Sequence, residues 1–209
     1  MAIPTHMQCI LLTGYGGLDK LEVVDDHAVP VPGEGEVLIE VGAAGVNNTD
    51  INTRTGWYAS SVTGGTDEGA SDGYGDVDTA KSSWSGAALA FPRIQGADVC
   101  GRIVAAGSKE DEKRIGERVL VRSMQPQPPD AGGLAILTFG ADFDGGFAEY
   151  AVAKSDMTLA VDSELEDFEL ASFPCAYSTA ENMLDRIALR AGETVLITGA
   201  SGGVGSAAV

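Results

Sequence analysis

The sequence predicts a mainly β fold with an α/β fragment at its C-terminal end. Over about the first 160 residues, short apolar runs alternate with turns rich in Gly and Pro, a pattern typical of a small β-barrel or sandwich. Apolar residues at helical spacing follow, within residues 165–189. The last stretch, Thr194–Val209, has the sequence TVLITGASGGVGSAAV, in which a buried strand, a glycine cluster and a helix start follow one another.

The elements are predicted in the following order. Strands are expected at Met7–Thr13, Leu21–Val24, Glu36–Val46, Ala97–Ala106, Arg118–Arg122 and Gly146–Ala153. The third is the clearest, because Val37, Ile39 and Val41 occupy alternate positions along it. A short helix and turn are expected over Asn47–Tyr58, helices over Leu165–Ala171 and Tyr177–Leu189, and a final strand over Val195–Thr198.

We divide the chain into a β domain over residues 1–160 and a second part over 161–209, which holds the linking helices and a first βα unit. Residues 60–90 interrupt the β domain with an insert rich in Gly, Ser, Asp and Thr, a composition typical of a long loop. We expect this insert to form an excursion near Tyr58, with little regular structure outside Ala80–Leu89. Residues 123–144 are expected to be a connection rich in Pro and Gly.

The charge and composition exclude several classes of protein. A formal net charge of −18 argues against nucleic acid or an anionic membrane as a partner, because both require a basic face. No window of about 18 apolar residues predicts a membrane-spanning helix, and the start of the chain lacks the features of a signal peptide. Cys9, Cys100 and Cys175 are too widely spaced for a disulfide framework. We therefore expect a cytoplasmic protein.

The glycine cluster near the C-terminus is a candidate phosphate-binding turn. A strand, a tight glycine turn and a helix start together place backbone N–H groups where a pyrophosphate can bind. The candidate cofactor-binding residues here are Gly199, Ala200, Ser201, Gly202, Gly203, Val204 and Gly205. The alternative is an ordinary glycine-rich βα turn. A complete dinucleotide-binding fold needs several more βα units, so we expect the cofactor domain to be cut off here.

Five motifs give the chain its resemblance to a known family. They are GVNNTDINTRTGWY at Gly45–Tyr58, GADVCG at Gly96–Gly101, GERVLV at Gly116–Val121, GGFAEY at Gly145–Tyr150 and ETVLITGASGGVG at Glu193–Gly205. In this order they resemble the medium-chain dehydrogenase/reductase superfamily, specifically its zinc-independent quinone oxidoreductase-like branch. The resemblance covers nearly all of the chain except the insert. It implies a GroES-like barrel followed by the start of a Rossmann domain, truncated after the first glycine motif.

The same resemblance implies that no metal is bound. Zinc-dependent relatives hold their catalytic ion with a Cys, a His, and a Cys or Asp. Here Asn47 and Ala97 occupy the first two positions, and only Cys175 resembles a ligand. A catalytic zinc site needs three protein ligands, so one thiolate is insufficient.

The resemblance also implies roles for five residues. Asn47 would lie against the nicotinamide, and Arg54 and Tyr58 would reach toward the substrate carbonyl, where a hydroxyl or a guanidinium can stabilise developing charge. Asp50 would orient its neighbours, and Thr179 would hydrogen-bond the nicotinamide amide. Two alternatives stay open: Asn47 and Asp50 could simply cap the short helix, and Thr179 could be an ordinary residue of a helix N-terminus.

These residues together predict an oxidoreductase that transfers a hydride from NADH or NADPH to a quinone, an enone or a related activated carbonyl. We expect a small-molecule substrate and a homo-oligomer. The alternatives are a zinc-type alcohol dehydrogenase relative that oxidises an alcohol, and a non-catalytic GroES-like module. The insert is either a substrate lid or an acidic surface loop. We expect the 209-residue chain alone to be inactive and residues beyond about Arg190 to be mobile or ordered by self-association.

Overall fold

The computed structural model describes residues 2–69, 71–75, 77–126 and 136–209. Ten strands are defined in this part of the chain: β1 His6–Leu12, β2 Leu21–Ala28, β3 Glu36–Gly45, β4 Arg93–Ile94, β5 Asp98–Ala106, β6 Arg118–Val121, β7 Met124–Pro126, β8 Ile136–Thr138, β9 Tyr150–Lys154 and β10 Thr158–Ala160. Four α-helices accompany them: α1 Asn48–Thr55, α2 Asp167–Leu170, α3 Pro174–Arg186 and α4 Gly203–Ala207. The mainly β fold is confirmed, and helices follow the strands at its C-terminal end.

The strands form three antiparallel sheets among the described residues. The largest has the order β10-β6-β5-β3-β9, a second has the order β2-β1-β4, and β7 pairs with β8. The main core lies on one face of the five-stranded sheet. Its fully buried members are Val37, Ile39, Val99, Ile103, Val119, Val121 and Phe139. The alternation predicted for β3 is therefore confirmed, because Val37 and Ile39 both belong to this core.

The pairing of β3 with β5 brings the predicted site segments together. Gly45, the last residue of β3, lies opposite Asp98, the first residue of β5. A side chain at Gly45 would place its Cβ 2.6 Å from the carbonyl oxygen of Ala171, so glycine permits the α2–α3 segment to approach the sheet. Three segments consequently meet at one end of the interior strands β3 and β5: the N-terminus of α1, the start of β5 and the start of α3.

The insert follows α1 without regular structure. Helix α1 is terminated after Thr55 by Gly56, which adopts the left-handed conformation with φ 80°. Among the described residues of the 60–90 segment there is no helix or strand, and Trp84 packs against Tyr58. The predicted excursion near Tyr58 is therefore present. Ala80–Leu89, the stretch that we allowed to be regular, consists of turns and bends.

The C-terminal part differs from the sequence prediction in two helices and one strand. Helix α2 covers Asp167–Leu170 rather than Leu165–Ala171. Helix α3 starts at Pro174 rather than at Tyr177, because a proline fits the first turn of a helix, and it ends at Arg186 rather than at Leu189. The prediction of a strand over Val195–Thr198 is wrong: this segment has no assigned strand and Leu196 is 89% exposed. A strand exists only when a neighbour completes its hydrogen bonds, and the described residues provide none beside it.

Smaller differences occur in the β domain. Strand β2 continues to Ala28, four residues past its predicted end, and β9 begins at Tyr150 rather than at Gly146. Four strands of two or three residues, β4, β7, β8 and β10, were not predicted. Residues 127–135 of the predicted connection lie outside the described residues. Among the described residues, no helix has both the length and the apolar character needed to cross a membrane.

Candidate active site

Asp98 joins the three segments that meet at this end of β3 and β5. Its carboxylate accepts a hydrogen bond from the side-chain amide of Asn47, at 3.1 Å, and another from the backbone N–H of Cys175, at 2.5 Å. Asp98 is only 2% exposed, and burial raises the pKa of its carboxyl group, while these two hydrogen bonds oppose the shift. The N-terminus of α1 is thereby fixed to the N-terminus of α3 through one buried carboxylate.

Asp50 organises the other side of this arrangement. It forms a capping box with Asn47, whose backbone N–H it binds at 2.8 Å, and its second oxygen accepts the N–H groups of Gly96 at 3.1 Å and Ala97 at 3.3 Å. Burial raises the pKa of Asp50 to about 6 against the opposing effect of these N–H groups, and the nearby charge of Asp98 adds to the rise. Both residues cap α1, and Asp50 also binds the turn before β5; their roles toward a cofactor or substrate stay predictions.

Asn47 is held in one orientation by these contacts. Its backbone is fixed by Asp50 and its side-chain amide by Asp98. The amide nitrogen donates to Asp98, and the amide oxygen faces the backbone N–H of Asp50 in the capping box, which leaves one lone pair for a further donor. Contact between Asn47 and a nicotinamide stays a prediction, and the orientation of the amide is the structural feature that it would use.

Cys175 has a neutral thiol in this environment. Burial raises the pKa of its thiol to about 12, and the charges of Asp98 and Asp50 add to the effect. A thiol is a metal ligand only as the thiolate, so these neighbours oppose that state. Within the part of the chain that the structure describes, no group of three or more His, Cys, Asp or Glu side chains is arranged to hold a metal ion.

Tyr58 lies in an aromatic cluster that we define as Trp57, Tyr58 and Trp84. Its ring stacks on Trp84 with centroids 5.7 Å apart and an interplanar angle of 21°, and it meets Trp57 edge-on at 5.4 Å. Its hydroxyl donates to the hydroxyl of Thr49 on α1, at 3.2 Å. Sequence reasoning placed Trp84 in the insert but not in the site. The available signal was the presence of two aromatic residues, Tyr74 and Trp84, in a segment rich in Gly, Ser, Asp and Thr.

Arg54 contacts the turn after β1. The residue is buried, and its guanidinium donates to the carbonyl oxygen of Gly16, whose N–H binds the carbonyl of Arg54 at 3.0 Å. These contacts fix the turn after β1 to helix α1. The structure thus gives Arg54 a structural contact, and its role toward a substrate stays a prediction.

Thr179 lies one turn along α3 from Cys175. Its hydroxyl donates to the carbonyl oxygen of Cys175 at 2.7 Å, a contact typical of threonine inside a helix. The oxygen retains lone pairs that can accept a hydrogen bond, as from the NH₂ of a carboxamide. The predicted contact with a nicotinamide is compatible with this geometry and stays a prediction.

The glycine turn before α4 is closely packed on itself. Gly199 adopts the left-handed conformation with φ +66°, and its carbonyl accepts the N–H of Gly202 at 3.0 Å. A Cβ on Gly205 would lie 2.2 Å from that same carbonyl oxygen, so only glycine fits. Gly203 faces Ala176 of α3, where a Cβ would lie at 3.6 Å. The turn borders the helix that carries Cys175 and Thr179, and its binding of a cofactor pyrophosphate stays a prediction.

Comparisons with known proteins identify the family of the chain. Residues 33–163 match the family model of the alcohol dehydrogenase GroES-like domain. The chain is 31% identical over 203 residues to a quinone oxidoreductase of Lama guanicoe, a match that covers 97% of this chain and 48% of the relative. The chain thus spans about half the length of the curated relatives that it matches.

Two solved structures extend the comparison. A Sinorhizobium meliloti 1021 protein described provisionally as an alcohol dehydrogenase shares 46% identity at a TM-score of 0.82, covering 99% of this chain and 54% of the other. An NAD-dependent alcohol dehydrogenase shares 25% identity at a TM-score of 0.73, covering 97% and 53% respectively. With its GroES-like domain, the chain belongs to the medium-chain dehydrogenase/reductase superfamily.

Proposed function

We propose that the protein is an oxidoreductase that transfers a hydride from NADH or NADPH to a quinone, an enone or a related activated carbonyl. The observation that carries this proposal is the hydrogen-bonded arrangement of Asn47, Cys175 and the buried Asp98, in which residues 47 and 175 are two of the positions that the family resemblance assigns to zinc ligands in zinc-dependent relatives. Here the carboxylate is occupied by two internal hydrogen bonds, and the thiol is neutral. An activated acceptor needs no metal-bound alkoxide, so this arrangement suits it better than an alcohol.

A nicotinamide cofactor would supply the hydride, and the chain's own residues would position it. The glycine turn would hold the cofactor through its backbone N–H groups, and Asn47 and Thr179 would hold it through their side chains. Tyr58 would donate its hydroxyl proton to the substrate oxygen as charge develops there. The relatives named quinone oxidoreductases support the acceptor, and the NAD-dependent structural relative supports the cofactor class.

Alcohol oxidation is the second candidate, because the Sinorhizobium meliloti relative at 46% identity is described as an alcohol dehydrogenase. The two candidates are distinguished by supplying the complete polypeptide with NADPH or NADH and 1,4-benzoquinone, and in parallel with NAD⁺ or NADP⁺ and a panel of primary and secondary alcohols. The proposal predicts quinone reduction that persists after dialysis against a chelator. Alcohol oxidation that is lost on chelation, with no quinone reduction, would replace it.

We further propose a cytoplasmic homo-oligomer that acts on a small molecule and binds neither nucleic acid nor a membrane. The net charge of −18 supports the exclusion of polyanionic partners. Light scattering of the purified protein tests the oligomeric state, and a single-subunit mass would contradict this part of the proposal.

A further inference from the structure

The exposed indole of Trp84 is the unusual feature of the insert. Trp84 is 50% exposed although it is a large apolar side chain, and its two sequence neighbours Ser83 and Ser85 are buried. One face of the indole stacks on Tyr58. The serines are thus inside the protein and the aromatic ring is outside, the reverse of the usual distribution.

The turn that carries Trp84 is fixed on both sides of the indole. The hydroxyls of Ser83 and Ser85 both donate to one carboxylate oxygen of Asp142, at 2.6 and 2.7 Å. The backbone N–H of Ser83 binds the carbonyl of Ala87 at 2.9 Å, and Gly86 adopts the left-handed conformation that closes the turn. A fixed aromatic side chain loses little conformational entropy when a ligand packs on it, so this arrangement favours binding.

The stacked pair is continuous with the proposed active site. The Tyr58 hydroxyl binds Thr49, which lies in the first turn of the helix capped by Asn47. A ring that packs beside the Tyr58–Trp84 pair therefore lies next to the residues proposed to hold the nicotinamide and donate a proton. The surface is one indole bordered by polar serines, which suits a flat small molecule better than a protein partner, whose interfaces need a broad patch.

We propose that Trp84 is a specificity-determining residue that selects flat fused-ring quinones over single-ring quinones by stacking on their second ring. This inference rests on the proposed function and names the substrate class of the same site. Aromatic stacking beyond simple burial corresponds to a preference of about 2- to 13-fold.

The test compares 1,4-naphthoquinone with 1,4-benzoquinone in the complete polypeptide. The kcat/KM for each is measured with the reduced nicotinamide in excess, in the parent and in Trp84→Ala and Trp84→Phe. We expect Trp84→Ala to lower the naphthoquinone-to-benzoquinone ratio by about 3- to 10-fold and Trp84→Phe to retain most of it, because the phenyl ring still stacks. Using the ratio removes the difference in intrinsic reactivity between the two quinones.

Two further variants make the result specific. Ser83→Ala/Ser85→Ala keeps the indole but releases it from Asp142, and we expect it to lose part of the same selectivity through a raised KM. Phe168→Ala removes another exposed aromatic side chain, on α2, and we expect it to leave the ratio unchanged. Thermal unfolding confirms that each variant is folded.

The possible outcomes distinguish the specificity role of Trp84 from the proposed function. If the parent reduces neither quinone, the specificity role is overturned, and the proposed function fails as well when a conjugated enone is not reduced. If the parent reduces both and Trp84→Ala lowers kcat/KM for both equally, or for neither, the specificity role is overturned while the proposed function stands.

Discussion

Replacing Asp98 by Ala tests whether this carboxylate holds the site together. The substitution removes two hydrogen bonds to a charged acceptor. The Asn47 amide and the Cys175 N–H then lose the carboxylate to which they donate. Such bonds contribute roughly 1.5–3 kcal/mol each, and the relief of repulsion with Asp50 offsets part of the loss. We therefore expect the free energy of unfolding to fall by about 2–4 kcal/mol, and by about half of that in Asp98→Asn, which keeps one acceptor oxygen.

Urea unfolding followed by tryptophan fluorescence measures this loss. Asp26→Ala is the matched control, because the Asp26 side chain is 87% exposed and a surface substitution changes stability by about 0.5 kcal/mol or less. An Asp98→Ala variant as stable as Asp26→Ala would refute the reasoning, since it would show that the three segments are held by packing alone.

Three further predictions concern Asp50, the glycine turn and the metal. The pKa of Asp50 is raised in the folded state, so its ionised carboxylate destabilises the fold, an effect that is absent at low pH and develops as pH rises from about 4 to 6. The free energy of unfolding of the parent, relative to that of Asp50→Asn, should therefore fall by about 3 kcal/mol across that window. Equal pH slopes for the two proteins would contradict this. Gly205→Ala should weaken NADPH binding at least about tenfold in a fluorescence titration, whereas Gly14→Ala, which lies outside the glycine turn and whose Cβ would meet no atom within 4 Å, should bind as the parent does. Metal analysis should find no stoichiometric zinc in the purified protein, and one tightly bound equivalent would contradict this.

The parts of the fold that follow from local pattern could be predicted. Strand β3 has ten residues with alternating apolar positions, and α1 is bounded by an N-cap asparagine and a C-terminal glycine. The missed strands have two or three residues, too few for any periodicity, and they exist because a neighbouring strand pairs with them. Val195–Thr198 shows the reverse case, an apolar run that pattern alone assigns to a strand but that lacks a partner among the described residues.

The sequence indicated candidate residues for the site but not the contacts between them. Asn47 and Asp50 lie three residues apart, so their capping relation is visible in the sequence. The Asp98–Cys175 hydrogen bond joins residues 77 positions apart, and nothing local indicates it. Trp84 reaches Tyr58 only because two serines bind Asp142 across almost 60 residues. Long-range contacts of this kind depend on the whole tertiary structure.

Hydride transfer to an activated acceptor is tested most directly with a labelled cofactor. NADPH or NADH carrying deuterium at the transferring position is incubated with the complete polypeptide and a conjugated enone, and the product is analysed by mass spectrometry and NMR. The account predicts a saturated ketone with deuterium on the carbon β to the carbonyl, formed equally with and without a chelator. An allylic alcohol labelled at the carbonyl carbon and formed only with zinc present, or no labelled product with either enone or quinone, would contradict it.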